Sequence, residues 1–157
     1  MRSSFEELLD QDGHLVYRTQ GRSMEPMLRQ NRDLVIVRVP DLRLCKFDIA
    51  LYKRGSKYIL HRVIGVKPDH YLIRGDNTYM IENVPDSAVI GVLTGFQRKG
   101  KQHDVTEPGY RFYARFWNAI YPLRLVYVRI RHLAVRTARK LGLLPLLKKM
   151  LRKEGTA

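Results

Sequence analysis

Cysteine is almost absent from this 157-residue chain: Cys45 stands alone, so no intrachain disulfide can form and nothing points to an oxidising compartment. It reads as a small buried or half-buried residue. The histidines (His14, His61, His70, His103 and His132) are scattered without the paired spacing of a zinc site, so neither a metal nor a cofactor is expected. Long apolar runs are missing as well. The longest uncharged stretch of the C-terminal region, Phe116 to Leu123, falls far short of the roughly 20 residues that span a bilayer. Met1 to Asp10 carries acids where a signal peptide would carry an apolar run, so neither secretion nor an N-terminal anchor is expected and the cytoplasm is the expected location.

Acidic residues are scarce in one part of the chain only. Residues 1–96 hold 14 Lys and Arg against 12 Asp and Glu, whereas residues 97–157 hold 15 against 3. Of the net charge of +14, +12 therefore belongs to the tail, which calls for an anionic partner, lipid head groups or nucleic acid. The length suits one domain with a core and an appended element, placed at residues 1–109 and 110–157.

What is present reads as a mainly β body with a short N-terminal helix and basic amphipathic C-terminal helices. Ser4 to Glu7 has capping-box spacing, and Phe5, Leu8 and Leu9 share a face, which predicts a helix over 4–11 ended by Asp12-Gly13. Strands are predicted at His14–Thr19, at Asp33–Val39 before Pro40, and at Phe47–Tyr52. Arg54-Gly55-Ser56 predicts a hairpin turn into Tyr58–Val66, where His61 shares a face with Ile59 and Val63. Tyr71–Ile73 and Ala88–Phe96 read as further strands, with a loop over Arg74–Pro85. From Tyr110 the apolar period becomes three to four; Pro122 divides or kinks this helical region, and a last basic segment covers Leu146–Lys153.

The stretch with chemical promise is Thr19 to Pro26, which sets Ser23 on a turn bounded by Gly21 and Pro26, just ahead of an apolar strand. A serine hydroxyl is a poor nucleophile at neutral pH and needs a base and oxyanion donors. His61 is the candidate base. The Ser23 backbone N–H is the natural first donor.

Three pieces, Gly21-Arg22-Ser23-Met24-Glu25-Pro26, Leu60-His61-Arg62-Val63-Ile64 and Arg74-Gly75-Asp76-Asn77, follow one another in the order and approximate spacing of the type I signal peptidase superfamily. Over about residues 15–96 the chain resembles that superfamily's Ser/His branch, found in archaea and the endoplasmic reticulum, and the small peptidase-like proteins of Gram-positive bacteria. The resemblance implies a serine peptidase with Ser23 as nucleophile and His61 as general base. Other branches use lysine there; Arg62, the adjacent residue, cannot serve as a base at neutral pH. Two carboxylates compete to orient the imidazole, Asp76 in the Gly-Asp-Asn motif and Glu82, with Glu82 preferred and Asp76 read as structural. Glutamate at 82 departs from the aspartate of that branch. The resemblance also implies small residues beside the scissile bond and a substrate peptide bound as an added strand. Arg74-Gly75-Asp76 spells an adhesion tripeptide as well, set aside as coincidence.

Two further departures matter. Relatives usually carry an N-terminal membrane anchor, and many have glycine where this chain has Phe47 before Asp48, a change tolerable if that position is not left-handed. The basic tail, with Phe112, Phe116, Trp117, Tyr121 and Tyr127, has the composition of a segment lying on an anionic membrane surface. Its aromatic face packed on the body is the plainer alternative. A non-catalytic peptide-binding protein and a lipid- or nucleic-acid-binding module are the rival readings of the whole.

Overall fold

The computed structural model describes residues 4–140. Helix α1 (Phe5–Asp12) begins as its sequence dictates: Ser4 Oγ accepts from the Glu7 amide and the Glu7 carboxylate accepts from the Ser4 amide. Gly13, at φ 68°, closes it in the left-handed region. Eight strands follow: β1 (His14–Arg18), β2 (Leu34–Arg38), β3 (Ile49–Arg54), β4 (Lys57–Val66), β5 (His70–Arg74), β6 (Glu82–Pro85), β7 (Val89–Arg98) and β8 (Lys101–Asp104). All pair antiparallel in one open sheet of order β1-β2-β7-β3-β4-β5-β6, with β8 beside β7.

Strand β3 explains why the sheet is stable. Ile49 and Leu51 join one apolar cluster with Val35, Val37 and Leu93, while Ala50 and Tyr52 join a second on the other face with Val63, Tyr71 and Ile73. A strand buried on both faces must read as a continuous apolar run. Each large side chain so buried contributes about 1.5–3 kcal/mol. The predicted hairpin is present, with Arg54 opposite Lys57 across Gly55-Ser56.

Several local expectations need correction. Phe47 and Asp48 lie in the turn before β3 rather than in it, and Phe47 has φ 83°. The loop assigned to Arg74–Pro85 ends in β6, drawn into the sheet by pairing with β5 from His70↔Pro85 to Ile73↔Glu82. Strand β8, Lys-Gln-His-Asp, was missed because it has no apolar alternation and exists through its pairing with β7. Cys45 is exposed, not buried or half-buried.

Two helices end the described chain, α2 (Pro108–Ala119) and α3 (Tyr121–Lys140), so Pro122 marks a division between helices. The chain divides into compact units after Asn118. Helix α2 thus belongs almost wholly to the first unit, beyond the boundary expected at 109. Among the described residues no helix is long and apolar enough to cross a membrane. The basic segment expected at Leu146–Lys153 lies outside the described residues.

Candidate active site

Ser23 sits on the loop joining β1 to β2, and that loop is held from within. The Asn31 amide donates to the Thr19 carbonyl at 2.9 Å, and the Leu28 amide to the Met24 carbonyl at 3.0 Å. Asp33 is wholly buried at the end of the loop, accepting from the Arg29 amide at 2.9 Å and from the Arg32 guanidinium at 2.5 and 2.8 Å. Burial alone would raise the Asp33 pKa, but Arg32 and the Arg29 amide together hold it below the ordinary carboxylate value. Met24, Met27 and Leu28 anchor the loop in the core. Among the described residues, neither the hydroxyl nor the amide of Ser23 makes a hydrogen bond, so both are available to a substrate.

The segment Arg74-Gly75-Asp76-Asn77 joins this loop to the histidine. The Asn77 amide donates to the Ser23 carbonyl at 2.7 Å, and its side-chain amide to the Arg22 carbonyl at 3.2 Å. Between them Gly75 touches both partners: a Cβ there would lie 2.7 Å from the Ser23 carbonyl oxygen and 3.0 Å from His61 Nε2. Only glycine allows that approach. Arg74 and Asp76 are both buried, which removes the adhesion reading of the tripeptide.

His61, on β4, is 7% exposed and directs its two nitrogens to different neighbours. Nε2 faces Gly75 beside the Ser23 backbone. Nδ1 lies 3.4 Å from Glu82 Oε1 and 3.3 Å from the Tyr52 hydroxyl. A proton on Nδ1, facing the carboxylate, leaves Nε2 as the lone-pair acceptor on the Ser23 side. Burial lowers the His61 pKa below the ordinary histidine value; Glu82 opposes this and Arg54 reinforces it. The imidazole is therefore neutral at neutral pH, the state a general base requires. Arg54 in turn holds the second Glu82 oxygen at 2.6 Å. Glu82 reaches His61 because β5 ends opposite Arg62, so that among the described residues no strand lies beside Lys57–His61 on that side.

The other carboxylate has a different role. Asp76 receives two bonds of 2.8 Å from Arg62, which is 1% exposed, in a side-by-side pairing. Burial alone would lower the Arg62 pKa, but the Asp76 charge outweighs it and the net shift is upward. Helix α2 encloses the pair. The Tyr113 hydroxyl donates to Asp76 at 3.1 Å, the Trp117 indole to the Asp76 carbonyl at 2.8 Å, and Asn118 accepts from Arg74 at 2.9 Å. Tyr110 and Tyr113 also lie against the Arg62 guanidinium, with ring centroids 5.6 and 5.8 Å away. Ser23, His61 and Glu82 thus gather at one place while Asp76 supports the segment beneath them. Tyr52, Arg54 and Asp33 are not singled out by the sequence; the signal that could have found Asp33 is its place at the head of a β-branched apolar run.

A cavity of about 910 Å³ opens at this point, with Ser23 and His61 in its wall together with Tyr17, Met24, Tyr58 and Leu60. Its sides include the end of β1, an edge strand, and residues Lys57–His61 of β4, which among the described residues pair with β3 only. Among the described residues no cluster of His, Cys, Asp and Glu is suited to a metal ion. In comparisons with known proteins, no protein-family model matches the chain, and no curated protein matches it significantly.

Proposed function

We propose that this protein is a serine endopeptidase of the signal-peptidase type, with Ser23 as nucleophile, His61 as general base and Glu82 as the group that orients it. The observation that carries this reading is the two-sided placement of His61, with Nδ1 at Glu82 and Nε2 at the Gly75–Ser23 contact. In the proposed reaction Ser23 Oγ attacks the scissile carbonyl while His61 Nε2 takes its proton. The Ser23 N–H donates to the oxyanion as the tetrahedral adduct forms. Collapse breaks the C–N bond, and His61 returns the proton to the departing amine, leaving an acyl-serine. Water, deprotonated by His61, then releases the acid and restores the hydroxyl.

The substrate is an extended peptide. The unpaired edges of β1 and of Lys57–His61 offer backbone donors and acceptors for strand addition, and the apolar wall receives its side chains. The test is mass-spectrometric analysis of a mixed peptide library exposed to the wild-type protein and to Ser23→Ala. Cleavage by the wild type should fall by roughly 10³-fold or more in the variant, as losing a nucleophile from a triad does. Peptide retained by both proteins without cleavage by either would replace the peptidase reading with a binding one.

A further inference from the structure

The peptidase reading leaves the outer faces of the C-terminal helices unused. Helix α2 has two faces. Tyr113, Ala114 and Trp117 turn toward the body, while Arg111, Phe112, Arg115 and Phe116 are exposed, with the Phe112 and Phe116 rings stacked at 5.8 Å. Helix α3, taken by itself, exposes Leu123, Val126, Tyr127, Ile130 and Leu133, each more than half accessible. Their spacings of three and four align them in one stripe, and Arg129 and Arg136 are exposed to its side. From Pro108 to Lys140 there are eight Lys and Arg and no acid.

An aliphatic stripe of this extent is unfavourable in water and marks an interaction surface. The surrounding charge selects the partner. Arginine alone would suit any polyanion, but Leu, Val and Ile gain nothing from a nucleic-acid backbone. Both features together match the boundary of an anionic bilayer, where aliphatic and aromatic groups enter the headgroup region and arginines meet lipid phosphates. We propose that the exposed faces of α2 and α3 dock on an anionic lipid surface.

Because α2 carries Tyr113 and Trp117 onto Asp76 from its opposite face, lipid on its outer face would lie one helix diameter, about 10 Å, from the segment beneath Ser23. A substrate emerging from or lying on that surface is then within reach; this last step rests on the peptidase reading, whereas the docking itself does not.

The test uses the full chain in co-sedimentation with phosphatidylcholine vesicles, with and without phosphatidylglycerol. Binding should be at least about tenfold stronger with the anionic lipid and should weaken as salt rises. Leu123→Glu with Ile130→Glu, both at exposed positions, should lower binding roughly tenfold or more without changing the melting temperature. Phe112→Ser with Phe116→Ser tests the α2 face separately and should also reduce it. Equal binding to both vesicle types, or wild-type binding by all these variants, overturns the proposal. Binding to an RNA oligonucleotide that exceeds vesicle binding and survives the glutamate substitutions also overturns it, in favour of a nucleic-acid partner.

Discussion

Neighbouring residues of β4 carry two base–carboxylate pairs that contrast in nearly every respect. Arg62 meets Asp76 through two bonds of 2.8 Å, both groups are under 5% exposed, and aromatic residues of α2 enclose them. His61 meets Glu82 at a looser 3.4 Å, borders the cavity, and shares its carboxylate with the partly exposed Arg54. The first pair joins a cation that does not titrate near neutrality to a sequestered carboxylate, which makes it a structural tie. The second couples a base of depressed pKa to a carboxylate that still has access to solvent, which suits proton transfer. Adjacent positions on a strand point to opposite faces, so one strand can supply both.

The largest expected effect that would break this contrast is at Asp76. Asp76→Asn leaves Arg62 buried without its counter-charge and should cost about 3–5 kcal/mol of stability, read from the urea midpoint. Glu82→Gln should change stability by less than about 1 kcal/mol, since its partner Arg54 is largely exposed. If Asp76→Asn instead kept its midpoint and lost only cleavage, the two assignments would be reversed.

A second prediction concerns rate and pH. Glu82→Gln should lower kcat/KM by roughly 10²- to 10⁴-fold, the range for disturbing the orienting member of a triad. The residual activity sharpens the comparison further. In the proposed reaction cleavage needs neutral His61, so it should be lost as pH falls through the His61 pKa. Glu82 raises that pKa and Arg54 lowers it. The acid limb of the profile should move to lower pH in Glu82→Gln and to higher pH in Arg54→Met. Shifts of the same sign in both variants would show that these charges do not act on the base.

The smallest expected effect lies at Phe47, whose carbonyl accepts from Arg62 at 3.0 Å on the structural side of the contrast. The condition for tolerating a side chain there is not met, because Phe47 has φ 83°. Phe47→Gly and Phe47→Ala lose the same ring, so their difference isolates the backbone strain. The glycine variant should be the more stable of the two by about 1 kcal/mol in thermal or urea unfolding.

How much of this was legible depended on the range of the interactions involved. The capping box of α1, the Gly13 stop and the β3–β4 turn are settled within a few residues, and each is where the sequence places it. Strand β2 and the helical region after Tyr110 announce themselves by run and period. Strands β6 and β8 carry no such signal, since pairing with β5 and β7 makes them strands. Ser23, His61, Asp76 and Glu82 could be named as a set. Arg54 and Tyr52 could not, because nothing local to the β3–β4 hairpin shows that Glu82, on β6, comes to its end.

By itself, then, the amino-acid sequence determined which chemistry was on offer: a serine on a constrained turn, one suitably placed histidine, two candidate carboxylates, a β-rich body and a tail of one charge. Tertiary structure decided which carboxylate meets His61 and which meets Arg62, through the ending of β5 opposite Arg62 and the covering of Asp76 by α2. It also decided that the Tyr113 and Trp117 face of α2 packs on the body while Phe112 and Phe116 stay outside. Partner choice and burial depend on contacts between residues distant in the chain, and no local pattern of apolar and polar residues encodes those distances.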